Sequence, residues 1–136
     1  MLDLAILFRA LQIYSHSAHN LCFGQTFHED HDFFGDVYGR AEGWYDSIVE
    51  RIIGLGHESE INLISLMEEV LGELKDLPLG SNQEYYKGIM SLLNKSNDYC
   101  EKVCKAKGIS QGTLQLVGGI ADQIEVLQYK IKRRMK

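Results

Sequence analysis

Proline is almost missing: Pro78 is the only one in 136 residues. Since proline breaks a helix from within, nearly the whole chain is free to form long helices. Cysteine is scarce as well. Cys22, Cys100 and Cys104 are three in number and share no repeated spacing, which argues against a disulfide framework and for a reducing, cytoplasmic compartment. No apolar run approaches the ~20 residues that span a bilayer. The opening Met-Leu-Asp-Leu-Ala-Ile-Leu-Phe has no basic residue before it and meets Arg9 early, so it reads as a helix and not as a signal peptide. Gly-x-Gly-x-x-Gly, P-loop and nucleophile-elbow patterns do not occur, which removes the usual phosphate-cradle and serine-nucleophile chemistries. Glu-x-x-His is also missing, and with it the motif by which di-iron bundles bind metal inside one chain.

What the chain does contain is helical patterning. With 45% apolar and 24% charged residues it suits one domain, residues 1–136, with a real core. Apolar residues recur at helical and not alternating spacing. A first helix, about Leu2 to Cys22, sets Leu4, Leu7, Phe8, Leu11, Tyr14, Ala18 and Leu21 on one stripe. A long second helix, about Phe27 to Ile53, opens at Thr26-Phe-His-Glu29, a capping-box pattern, and carries Phe34, Val37, Tyr38, Ala41, Tyr45, Ile48 and Ile52 before Gly54 and Gly56 stop it. A shorter segment, about Glu60 to Lys75, bears Leu63, Leu66, Met67, Val70, Leu71 and Leu74 and breaks at Asp76-Leu-Pro-Leu-Gly80. Ser81-Asn-Gln-Glu84 caps a third main helix to about Lys107, and Ser110 opens the last, Gln111 to about Arg133. The expected fold is all-α, a ferritin-like four-helix bundle with a short extra helix in the connection between helices 2 and 3.

Four residues carry the chemistry: His19, His31, Asp46 and Glu50. The 15-residue step from His31 to Asp46 covers roughly 22 Å of helix at ~1.5 Å per residue, too far for one ion. It also returns close to the starting azimuth, and Asp46 and Glu50 are i and i+4, so all three project from one broad face. Two copies of that helix, antiparallel about a two-fold axis, would bring the histidine end of one to the carboxylate end of the other. His19, a turn before the Phe23-Gly24-Gln25-Thr26 bend, approaches His31, a turn after it. Two imidazoles with two carboxylates suit Fe(II), Zn(II) or Mn(II) better than Ca(II) or Cu(I).

His19-x11-His31, then Asp46-Ser-Ile-Val-Glu50-Arg51 and Leu55-Gly56, with Gly24 in the turn, resemble the motif of the Dps-type miniferritins, DNA-protecting members of the ferritin-like superfamily. The resemblance is specific over Ala10 to Gly56 and architectural beyond. It implies an intersubunit di-iron ferroxidase centre, with His19, His31, Asp46 and Glu50 as metal ligands and Glu50 and Asp46 as the catalytic carboxylates. It further implies Fe(II) oxidation by peroxide or dioxygen, a hollow dodecamer storing ferric iron, and protection against oxidative damage. Two positions depart from the family pattern. Asn20 stands where a Trp usually follows the first His, and Gly35 stands where an Asp usually adds a ligand; Asp32 and Asp36 are the nearest substitutes.

Other residues divide between chemistry and structure. His16 and His28 each lie a turn before a candidate ligand and could serve as outer partners; His57 lies beyond the helix stop. Cys100 and Cys104, i and i+4, supply half a zinc site at most and read as buried thiols. The chain carries a net charge of −5, yet Lys130, Lys132, Arg133, Arg134 and Lys136 crowd its final seven residues. They read either as a tail for DNA phosphates or as cations offsetting a helix C-terminus. The alternative to an iron enzyme is a ferritin-like structural, interaction or DNA-binding protein with a degenerate metal site. In that case Asp46 or Glu50 would pair with Arg40 or Arg51 in a polar seam.

Overall fold

The computed structural model describes residues Met1–Lys136 and contains five α-helices and no strand. These are α1 (Leu2–Leu21), α2 (Phe27–Gly54), α3 (Leu63–Leu74), α4 (Asn82–Cys104) and α5 (Gln111–Met135), with a one-turn 3-10 segment at Glu58–Glu60. The long helices α1, α2, α4 and α5 form the bundle, and α3 is the short helix in the connection between the second and third of them, as the patterning predicts. No helix is long and apolar enough to cross a membrane.

Gly24, with φ of +95°, turns the chain between α1 and α2, which pack along most of their length. After α2 the chain must travel back along the bundle before α4 begins. The return is forced because α4 starts beside the α1–α2 turn, where Asn82 bonds to Phe23. One end of the bundle therefore collects the end of α1, the starts of α2 and α4, and the end of α5. Tyr14 fixes this arrangement. Its ring occupies the space where a side chain at Gly88 would sit, and its hydroxyl donates to the Pro78 carbonyl at 2.5 Å, tying α1 to the approach to α4.

The core is one cluster fed by all five helices, with Phe8, Leu11, Phe34, Ile48, Ile89, Leu92, Ile124 and Leu127 sealed from solvent. Each such side chain contributes about 1.5–3 kcal/mol by leaving water. The expected stripes of α1 and α2 face this core, except that Leu21 is exposed and Tyr38 only half-buried. The stripe of α3 behaves differently. Leu66 and Val70 are buried against α1, whereas Leu63, Ile64 and Leu71 are 70%, 65% and 64% exposed.

Two end signals resolve in opposite ways. Ser81 and Glu84 form the capping box that the pattern predicts at α4. At α2 the box does not form, because the Thr26 hydroxyl donates instead to the Asp30 carboxylate at 2.7 Å. Helix α3 begins at Leu63 rather than near Glu60, capped by Asn62, and α4 ends at Cys104 rather than near Lys107.

Candidate metal centre

His19 in the last turn of α1 and His31 in the second turn of α2 lie face to face across the bend, ring centroids 3.7 Å apart and planes 19° from parallel. Their hydrogen bonds are reciprocal. His19 Nδ1 donates to the His31 carbonyl at 2.8 Å, and His31 Nδ1 donates to the His19 carbonyl at 2.7 Å. A carbonyl can only accept, so each Nδ1 carries a proton, which in the neutral form of the ring leaves the lone pair on Nε2. This is the tautomer a metal-binding histidine needs, fixed by an outer partner as such ligands usually are. Neither Nε2 has a hydrogen-bond partner within the chain, so both are available as ligand atoms.

The space around the pair explains one departure from the motif. A Cβ on Gly35 would lie 3.1 Å from His19 Nδ1 and 3.2 Å from its Cε1, so the His19 ring rests where a side chain at 35 would begin. Asp36, one of two substitutes, is held in an ion pair with Arg40 at 2.9 Å. Asp32, the other, is exposed. Aromatic rings extend the stack on both sides: Phe27 lies on His31 with centroids at 4.9 Å, and Tyr38 meets the edge of His19 at 5.3 Å. His16 stacks on Tyr38 at 4.2 Å and is an outer neighbour of the pair rather than a hydrogen-bond partner.

Asp46 and Glu50 sit further along α2, both exposed. Neither enters an ion pair within the chain. The two arginines that a polar seam would use are engaged elsewhere, Arg40 with Asp36 and Arg51 with the Thr113 hydroxyl at 3.1 Å. Glu50 borders an open hollow of about 540 Å³ that also includes Ser47, Arg51, Gly54 and Leu116. Within one chain no three His, Cys, Asp or Glu side chains come together closely enough to hold a metal ion. The structure thus brings His19 to His31 and leaves both carboxylates free.

Sequence reasoning missed Asp30. It is 0% exposed, and its carboxylate accepts from five atoms: Thr26 Oγ1 at 2.7 Å, Asn82 Nδ2 at 2.9 Å, Tyr86 Oη at 2.5 Å, and Arg134 Nε and Nη2, each at 3.1 Å. Burial by itself would raise its pKa; the bonds from Arg134, Tyr86, Thr26 and Asn82 outweigh burial and hold the carboxyl below the usual range. Burial, then the Asp30 bond, pushes Tyr86 up, and the same carboxylate raises Arg134. One signal was available: Asp30 is four residues before Phe34 on the buried stripe of α2, where an acid needs a partner. The partner lies 104 residues away, beyond the reach of local patterning.

Arg134 was therefore wrongly grouped with the basic tail; only Lys130, Lys132, Arg133 and Lys136 remain exposed there. His28 is exposed, and His57 pairs with Glu60 at 3.2 Å. Cys100 is buried and its thiol is pushed up to about 12 by burial, then by Cys104 and Glu101, so it stays protonated at neutral pH.

No family model matches the sequence, and no curated protein matches it either. Among solved structures the chain superposes on that of Dps from Microbacterium arborescens in the high iron form, with a TM-score of 0.81 and 15% identity, over 98% of this chain and 88% of that one. The fold is thus that of a Dps, ferritin-like bundle.

Proposed function

We propose that the chain is a subunit of a Dps-like miniferritin that takes Fe(II) as substrate between two copies of itself, oxidises it and stores the ferric product. The observation that carries this reading is the reciprocal locking of His19 and His31 through Nδ1, which leaves each Nε2 without a partner in the chain. The fold, the motif spacing and the high iron form of the structural neighbour agree with it. In this reading an antiparallel partner supplies Asp46 and Glu50, so each two-fold axis holds two complete sites. The exposed apolar residues of α3 give the two copies a face to bury. A closed homo-oligomer, a dodecamer by the family's example, would enclose the product.

The chemistry balances without any further cofactor. Two Fe(II) give one electron each to hydrogen peroxide, which takes up two protons and leaves as two waters; dioxygen is the alternative acceptor. The imidazoles bind Fe(II) as neutral donors, while the carboxylates add charge that favours Fe(III) and so ease oxidation. Glu50 would bridge the neighbouring metal positions, with Asp46 as ligand or as the acceptor orienting an imidazole. Zinc or manganese would fit the same donors.

A second reading, a ferritin-like interaction protein that has lost the chemistry, is favoured by one observation: the His19 ring fills the place of the side chain missing at Gly35. Anaerobic Fe(II) titration followed by peroxide, with the ferric absorbance recorded against a Glu50→Ala control, separates the two. Saturable binding with Glu50-dependent oxidation is expected. Binding and kinetics equal to the control would refute the ferroxidase site and leave the interaction reading.

A further inference from the structure

The imidazole pair depends on an unusual end to α1. In a continuing helix the Phe23 N–H would bond the His19 carbonyl, four residues back. Here Phe23 N–H donates to Asn82 Oδ1 at 3.2 Å instead, and the His19 carbonyl is open to receive His31 Nδ1. Asn82 also binds the next peptide, donating from Nδ2 to the Phe23 carbonyl at 2.7 Å. Its second amide hydrogen goes to Asp30. The amide is fully used, and each of its bonds is to the turn between the two histidines.

Asp30 gives this arrangement its rigidity. It directly precedes His31 and is gripped by Tyr86 from α4 and by a two-toothed Arg134 from the end of α5. A two-toothed guanidinium fixes direction as well as distance, which a single ammonium does not. The guanidinium also lies 5.2 Å from the Tyr86 ring. Two further helices, α4 and α5, thus converge on the bend that sets the spacing of the two rings.

We propose that Asn82 and Asp30, anchored by Arg134 and Tyr86, are positioning residues of the metal centre: they end α1 at the point that frees the His19 carbonyl, and so hold both histidines in the Nε2-open tautomer. None of the four belongs to the candidate ligand set. The proposal rests on the reading of the histidines as metal ligands, and it can be tested apart from it.

The test compares the full-length protein with Asn82→Ala, Arg134→Ala, Arg134→Lys and, as control, Lys132→Ala, an exposed cation on the same helix end. Two measurements are made on each: the tautomers of His19 and His31 by long-range proton–nitrogen NMR, and the affinity for Zn(II), a redox-silent probe, by calorimetry. Wild type and Lys132→Ala should show the Nδ1–H form at both rings. Asn82→Ala and Arg134→Ala should mix the tautomers and weaken Zn(II) by about 10–100-fold, the usual effect of losing an outer partner. Arg134→Lys should fall between, having charge without the fork. Unchanged tautomers and affinity in Asn82→Ala and Arg134→Ala would overturn the proposal. Should Asn82→Ala fail to fold, Arg134→Lys decides by the same two measurements. Tautomers that respond to the variants in a wild type that binds no Zn(II) would uphold the positioning role and reject the metal-centre reading.

Discussion

At its N-terminal end α2 is tied to its neighbours: Asp30 has five donors, and His19 and His31 satisfy each other's carbonyls. Towards its C-terminal end Asp46 and Glu50 stand in solvent, and the neighbouring arginines are engaged with Asp36 and Thr113. The same helix thus carries one end whose polar groups are paired within a single chain and one end whose carboxylates face solvent. A hydrogen-bonded imidazole half facing a solvent-exposed carboxylate half is what the proposed antiparallel pair would use, since each copy would then contribute one prepared and one unpaired set of ligands. In the proposed assembly, the cost of ordering the carboxylates would fall at the moment of association and metal binding.

The largest effect that would test this contrast is on stability. Asp30→Ala leaves Arg134 and Tyr86 facing an empty site and should lower the unfolding free energy by about 3–5 kcal/mol, whereas Asp46→Ala should stay within about 0.5 kcal/mol; urea denaturation measures both. Equal losses would erase the difference between the ends. Acid should reveal the same asymmetry. Because the pKa of Asp30 is lowered in the folded state, its stabilisation is present at neutral pH and disappears as pH falls from the ordinary ~3.9 through the folded value. Unfolding free energy of the wild type should therefore drop more steeply below about pH 4 than that of Asp30→Asn.

Glu50→Ala probes the open end by function. Stability and assembly should hold, while Fe(II) oxidation should slow by at least about 10-fold; a full rate in stopped-flow absorbance would remove Glu50 from the centre. Gly35→Ala sharpens the closed end, because its two consequences should have opposite signs. Alanine in a helix interior gains up to about 1 kcal/mol over glycine, yet the added Cβ at 3.1 Å presses on the His19 ring. Thermal stability should hold or rise while Zn(II) affinity falls, and affinity at the wild-type level would show that the ring has room to move. The smallest effect belongs to the tail. Neutralising Lys130, Lys132 and Arg133 with Arg134 kept should leave stability within about 0.5 kcal/mol, and any DNA retention in a gel-shift assay should weaken and lose salt sensitivity.

Much of the fold was legible because its determinants are local. The stripes of α1 and α2, the Ser81-Glu84 box and the Ser110 cap all act within a few residues, and the structure contains each of them. The approach of His19 to His31 was legible too, since a short bend brings flanking turns together. What escaped notice depends on distant partners. Thr26 carries a capping-box pattern, but its hydroxyl is taken by Asp30, and Asp30 is decided by an arginine on another helix. The exposed flank of α3 escaped for a related reason: a pattern of Leu63, Met67 and Leu71 announces an apolar face without saying whether the same chain covers it.

The link between Asp30 and Arg134 also has a place in time. A chain made from its N-terminus at about 5–20 residues per second needs roughly 5–20 s to add the 104 residues that separate them. During that interval the α1–α2 hairpin lacks first Asn82 and Tyr86 and, until the end, Arg134. The two histidines are therefore made early and fixed late, their geometry settling only when the final helix turn docks.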